Sequence, residues 1–382
     1  MHELRFSGFD DEWIEEKLGN LVQIKSGECT KNLITGIDNS IPYFKVEQLN
    51  NSLKYQIKTP YFINDKSKIV NKGSIIFPKR GAAILLNKIR ILNQDSFMDT
   101  NLMTLTPNNK LYNEFLYYFI YKENLSKIAD TTSIPQLNNK HIKPYPIKLP
   151  SFEEQLKISK FISSVDKKVS LLSQNLEIFN DFKKGLLQQI FTQKLRFNFD
   201  DEWKQYKLKD VLTVKSSSIS INQLEENTGD YPLYGASGFL KNIDFCEMDV
   251  DYISIVKDGS GVGNLSFHEK NSSIVNTSQY LLPKKNFNIN FLYYLLQTIN
   301  LMKYVNGSSI PHIYFKDYCI EKINIPSLDE QEKIGKLFVD VDITMENLNK
   351  NINATQEFKK GLLQQMFVVQ LILSLLQNKK HI

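Results

Sequence analysis

Few residues of this chain stand where they could do chemistry. Five histidines (His2, His141, His268, His312 and His381) are scattered without an i,i+4 pair, so no zinc-protease ligand face is present. Asp10-Asp11-Glu12 and Asp200-Asp201-Glu202 each sit beside a tryptophan, Trp13 or Trp203, and read as solvated turns opening a domain rather than as cation sites. Gly259-Ser-Gly-Val-Gly263 follows an apolar run, but its third glycine comes one residue early for a dinucleotide fingerprint. There is no Walker loop, and no nucleophile, base and orienting residue gather into a constellation. The sequence therefore presents no catalytic residue and no metal-ligand set.

Recognition chemistry remains. Lys79-Arg80-Gly81 and Lys257-Asp258-Gly259-Ser260 each follow a strand-like run, Ser74-Ile-Ile-Phe77 and Tyr252-Ile-Ser-Ile-Val256. A cation and exposed amides on a glycine turn suit phosphates and base edges. Lys25-Ser26-Gly27 and Lys215-Ser216-Ser217-Ser218 hold equivalent earlier places. Lys25, Ser26, Lys79, Arg80, Lys215, Ser216, Lys257 and Ser260 are thus the candidate nucleic-acid contacts.

The equivalences come from an internal repeat that organises the whole chain. Phe182-Lys-Lys-Gly-Leu-Leu-Gln-Gln189 recurs unchanged at Phe358 to Gln365, an offset of 176. The same offset superposes Pro150-Ser151 on Pro326-Ser327, Glu154-Gln155 on Glu330-Gln331, Ser133-Ile134-Pro135 on Ser309-Ile310-Pro311, and Phe115-Leu-Tyr-Tyr118 on Phe291-Leu-Tyr-Tyr294. At the front the offset is 190, Phe9-Asp-Asp-Glu-Trp13 returning as Phe199-Asp-Asp-Glu-Trp203, so the first copy carries 14 extra residues between Trp13 and Phe115. Each copy has an opener, a variable body and a nearly identical closer. Bodies that diverge between closers that do not are expected to read different things while the closers do one job twice.

The closers are long helices. Ile158, Ile162, Val165, Val169, Leu172, Leu176, Phe179, Leu186 and Ile190 alternate at spacings of four and three, with Lys183 breaking the series. Ile334, Phe338, Val341, Met345, Leu348, Ile352, Leu362 and Met366 repeat it, with Thr355 and Lys359 polar. Four to five heptads predict a coiled coil of roughly 50 Å. Pro-Ser-x-x-Glu reads as a helix start with a capping box. If each helix starts beside its own body, the pair runs antiparallel. The bodies read as α+β, with helices from Phe115 to Tyr121 and from Phe291 to Leu296.

The chain has 382 residues, 42 % apolar and 23 % charged, enough for two or three domains. Its net charge is +5, placed unevenly: Ile14 to Pro150 carries 19 basic and 11 acidic residues, Lys204 to Pro326 twelve of each. A mildly basic first half suits a polyanion partner. Three separated cysteines, Cys29, Cys246 and Cys319, fit a reducing compartment rather than a disulfide framework. With no apolar signal core, and with Met366 to Leu376 too short to span a bilayer, a soluble cytoplasmic protein is expected.

In its order and duplication the sequence resembles the specificity subunits of type I restriction–modification systems. The likeness rests on the openers Leu4-Arg5-Phe6…Trp13 and Leu195-Arg196-Phe197…Trp203, on the two closers, and on Tyr231-Pro-Leu-Tyr-Gly-Ala-Ser-Gly238. It implies an α+β protein in which two globular target-recognition domains are separated by two long antiparallel coiled-coil helices, a pseudo-two-fold repeat. The expected divisions are 1–150 and 195–326 for the recognition domains, 151–194 and 327–376 for the helices, and 377–382 for a tail. Each domain would read half of a split double-stranded DNA target. The helices would act as spacer and as docking site for two modification (methyltransferase) subunits, which restriction subunits join. The chain would be non-catalytic and hold no cofactor. S-adenosylmethionine, ATP and Mg²⁺ would be used by the partner subunits. One departure stands out: where the second copy should continue as Gln193 to Phe197 does, it reads Val369-Gln-Leu-Ile-Leu373 instead. The competing reading is a two-headed coiled-coil scaffold that grips proteins and does not read DNA.

Overall fold

A computed structural model describes residues 4–30, 33–35, 40–64, 69–130, 134–224 and 229–367. The tail expected at 377–382, the departure at Val369 to Leu373, and Ser133 lie outside them. The chain divides into two compact units, residues 1–171 with 352–382, and residues 172–351. Each unit holds one body together with a stretch of each long helix.

In the first unit the opener strand Ile14–Lys17 pairs antiparallel with Pro146–Leu149, closing the body at the start of the long helix. Five strands follow in the order Val22–Ser26, Leu102–Pro107, Ile75–Pro78, Arg90–Leu92 and Tyr55–Gln56. A smaller four-stranded sheet runs Ile34–Thr35, Tyr61–Ile63, Ile41–Phe44 and Phe97–Met98. The helix Asn113–Glu123 lies on the larger sheet, burying Phe115, Leu116, Phe119 and Ile120. The second unit repeats the plan. Lys204–Lys207 pairs with Lys322–Ile325, and Leu212–Ser216, Ser278–Pro283, Tyr252–Val256 and Leu265–His268 form its main sheet. In place of the four-stranded sheet it has the hairpin Tyr231–Gly235 and Gly238–Ile243 with Ser273–Ile274. Most of the first copy's extra chain lies between Val22–Ser26 and Ile75–Pro78, where the two units differ in architecture.

The long helices run from Phe152 to Phe191 and from Leu328 to Met366. Their a/d side chains are buried where a body covers them: Ile158, Ile162 and Val165 in the first core, Ile334, Phe338 and Val341 in the second. Val169, Leu172, Leu176, Met345 and Leu348 are only half-buried, while Ile352 is buried again. Each core is completed by the far end of the other helix, Leu362, Leu363, Met366 and Phe367 in the first unit and Ile190 in the second.

A matched polar node pins the helices in each unit. Asp166 meets Lys359 at 2.6 Å and accepts from Tyr118 Oη at 2.7 Å. Asp342 meets Lys183 at 2.6 Å and accepts from Tyr294 Oη at 2.7 Å. An equal step forward on one helix corresponds to an equal step back on the other, the register of an antiparallel pair. The two lysines that interrupt the apolar series are therefore register-setting contacts. Burial, then the carboxylate beside it, pushes each tyrosine hydroxyl well above the ordinary phenol range. In the first node Lys54 adds a second cation, its ammonium within reach of Glu114, Tyr118 and Ser163.

The Pro-Ser-x-x-Glu segment departs from the expected capping box. Ser151 Oγ does accept from Glu154 N at 3.2 Å, but the Glu154 carboxylate is taken by the Arg5 guanidinium in a two-pronged contact of 2.8 and 2.9 Å. Glu330 is held likewise by Arg196 at 2.7 and 3.1 Å, and Ser327 Oγ is buried without a hydrogen-bond partner. The neighbouring glutamines fasten body to helix. Gln155 accepts from Tyr112 N and donates to Lys110 O and Pro150 O; Gln331 accepts from Asn288 N and donates to Pro326 O.

Asp342→Ala leaves Lys183 and Tyr294 without their shared acceptor. It is expected to destabilise the protein by about 2 kcal/mol. In a double-mutant cycle with Lys183→Met, thermal unfolding should show coupling above about 0.5 kcal/mol.

Candidate nucleic-acid interface

In each body the two candidate turns are brought to one place by a third. Gly27 follows the strand Val22–Ser26 and donates to Leu102 O, and a Cβ there would stand 1.8 Å from Asp99 O, so only glycine allows the approach. Lys79, at the end of Ile75–Pro78, donates its backbone N–H to Asn101 O. Both turns thus rest on residues 99–102. In the second body Ser217 Oγ donates to Ile274 O, and the N–H groups of Lys257 and Asp258 both reach Thr277 O. The turns there rest on residues 274–277, the equivalent stretch.

A fourth segment clamps the glycine turn. Gly81 N donates to Pro135 O and Leu137 N to Lys79 O, both at 2.9 Å; Gly259 N donates to Pro311 O at 2.9 Å and Ile313 N to Lys257 O at 2.8 Å. Gly81 and Gly259 have φ of +82° and +89°, which accounts for the residue type at both turns. The clamp is the Ile-Pro motif that the repeat had picked out with no role attached. Its far side is paired too, Gln136 with Asp130 and His312 with Asn306.

The eight candidate side chains divide by what they touch. Arg80 and Ser260 are exposed, and Lys79 and Lys257 half-exposed, on the clamped turns. Burial, aided by the neighbouring guanidinium of Arg80, holds the Lys79 ammonium below the ordinary lysine range. Lys257 lies 3.6 Å from Asp258, which offsets its charge. Lys25 and Lys215 are engaged within the fold, each donating to a main-chain carbonyl of a crossing segment, Ile69 O at 2.9 Å and Glu247 O at 3.0 Å. Ser26 is exposed, and Ser216 accepts from Gln279 Nε2 at 3.2 Å. Lys25 and Ser26 line an open cleft of about 270 Å³ with Gly27, Glu28, Val70, Phe97 and Met98.

Two carboxylates at these edges had no signal in the sequence. Burial raises the Asp99 carboxyl above its usual range, against the hydrogen bond that it accepts from Asn101 N. For Glu247 burial acts in the same sense, but hydrogen bonds from Tyr280, Ser217 and Ser218 outweigh it and hold the group below its usual range. Among the described residues no group of three or more His, Cys, Asp or Glu side chains could hold a metal ion. No helix among them is long and apolar enough to cross a membrane.

Two α+β bodies, each with a loop-built polar edge and each fastened to long paired helices, define a duplicated reader. The type I restriction modification DNA specificity domain matches residues 10–178 and again 200–356, and the chain belongs to that family. It is 22 % identical to the type I restriction enzyme MjaVIII specificity subunit of Methanocaldococcus jannaschii, over 95 % of this chain and 93 % of that one. It is 23 % identical to a putative type I specificity subunit of Mycoplasma pneumoniae, over 93 % and 96 %. The crystal structure of a type I restriction–modification S subunit from M. genitalium has the same fold, with a TM-score of 0.66 at 20 % identity over 97 % of this chain and all of that one.

Arg80→Ala is expected to weaken DNA binding and to lower the salt-dependence slope by about one, whereas Lys25→Met should lower the melting temperature with the slope intact. Asp99→Asn should raise the melting temperature at pH 7. The folded pKa of Asp99 is raised, so the gain exists where the carboxyl is ionised and disappears as pH falls through that pKa.

Proposed function

We propose that this chain is the sequence-reading subunit of a type I restriction–modification complex. Each body reads one half of a split target in duplex DNA through its clamped turns, and the long helices fix the gap. Two modification subunits dock on the helices, and restriction subunits join them. Methyl transfer and cleavage, with their S-adenosylmethionine, ATP and Mg²⁺, belong to those partners, and this chain supplies the address.

The observation that carries this reading is the contrast between edges and closers. Both bodies keep one backbone arrangement at the edge but fill it differently, Lys79-Arg80 against Lys257-Asp258. Equal scaffolds with unequal side chains suit two different half-sites. The closers do the opposite. Their identical octapeptides expose equivalent phenylalanines, Phe182 and Phe358, at 51 % and 54 %. Gly185 and Gly361, one turn further on, have nothing within 4 Å of where a Cβ would stand. An exposed aromatic beside an open notch, twice over, suits two copies of one partner. A solved chain with the same fold at a TM-score of 0.55 comes from work titled as the structural basis of type I R-M complex assembly, which supports partners of this kind.

The test is co-purification with the cognate modification subunit, then mapping of methylated sites on random DNA. A split motif with one fixed gap is expected, and replacing residues 204–326 by another body should change one half-site only. A contiguous motif, or a change in both halves, would overturn the reading.

A further inference from the structure

The segment that clamps each glycine turn also presents an isoleucine to solvent. Ile134 is 61 % exposed and Ile310 67 %, although three residues later Leu137 and Ile313 are at 1 % and 0 %. The two are equivalent by the repeat. Each stands two residues before a bridged one, Gln136 or His312, and directly before the proline whose carbonyl holds the glycine turn. The bodies have diverged at their cations and in their smaller sheets, yet both hold a β-branched apolar side chain out at the same spot. Folding gains nothing from that exposure.

We propose that Ile134 and Ile310 are apolar contacts to duplex DNA, one per half-site, each packing against a base step in the groove rather than reading a base. This rests on the reading of the bodies as DNA-binding. Three observations favour DNA over a protein as the occupant. The clamp is hydrogen-bonded directly to the turns that carry Lys79, Arg80, Lys257 and Ser260. The exposed Arg80 is bridged to Gln136, two residues beyond Ile134. The flanking residues Gln136, Asn138, Asn306 and His312 are polar and suit a phosphate-lined groove better than an apolar interface. A contact common to two readers of different sequences must tolerate sequence. Stacking of an apolar side chain on a base step does so, and direct hydrogen-bond readout does not.

The experiment uses the full chain assembled with its modification subunits. Two duplexes serve as probes, one carrying the mapped split target and one a scrambled sequence of equal length. Ile134→Ser and Ile310→Ser are compared with Ile134→Leu and Ile310→Leu, singly and together. Each serine variant should lower affinity about tenfold on both duplexes, and the pair about a hundredfold. The salt slope should stay at its wild-type value because no phosphate contact is lost. Leucine should restore most of the affinity, and melting temperatures should not move. Unchanged binding by the double serine variant would overturn the proposal. So would a loss confined to one base position, or weakened subunit assembly with DNA affinity intact. If the unmutated assembly binds neither duplex, the DNA reading itself fails and this inference falls with it.

Discussion

Two buried carboxylates hold the architecture together. Glu154 and Glu330 are at 1 % and 0 % exposure, a position that an unpaired charge does not tolerate. Each is met by a guanidinium from the opener of its own copy, Arg5 or Arg196, and the contact holds both arginines firmly protonated. The fastening joins chain more than a hundred residues apart and brings the opener strand beside the strand that leads into the helix. Everything between those two points is enclosed as a body. The lysine one turn further along, Lys157 or Lys333, then lies over the opener phenylalanines Phe6 and Phe9, or Phe197 and Phe199. Conditions on a body's interior are therefore loose. A body must deliver its two ends to this junction, and it is free to differ in between.

That freedom explains what was legible in the sequence and what was not. The repeat, the long helices and the central strand Tyr252–Val256 follow from identical residues and from periodicity, because heptads and β-branched runs are local signals. The strand expected at Ser74 to Phe77 runs Ile75–Pro78, with Ser74 spent on hydrogen bonds to Asn71 O and Thr106 Oγ1. The Ser-x-x-Glu spacing matched a local cap, but a distant arginine claimed the glutamate. Spacing alone cannot show that a side chain's partner lies on another segment. Lys183 and Lys359 likewise read as breaks in an apolar series, because their aspartates sit on the opposite helix.

The candidate site was legible in its turns and hidden in its supports. Lys79-Arg80 and Lys257 to Ser260 were marked by strand, cation and glycine in order. The Ile-Pro clamp was visible as a repeat, yet its work is done by main-chain groups, which leave no trace in residue type. Asp99 and Glu247 were invisible because what acts on them, burial at the first and hydrogen bonds from Tyr280, Ser217 and Ser218 at the second, depends on which segments cross beside them. Lys25 and Lys215 illustrate the reverse case: a cation at a strand end reads as a free charge until a crossing carbonyl takes it up.

The paired glycines of the closers have a dynamic consequence. Glycine costs a helix interior about 1 kcal/mol relative to alanine. At Gly185 and Gly361 no neighbouring atom requires it. In each helix the soft point comes within two turns of the residues that anchor the end, Ile190 in one and Leu362 to Phe367 in the other. The last anchored turns are thus joined to the helix through a residue of low helix propensity, where backbone amides are expected to exchange hydrogen faster than an alanine there would allow. A partner that fills the notch would slow that exchange, so occupancy of the helix surface is recorded in the breathing of the backbone beneath it.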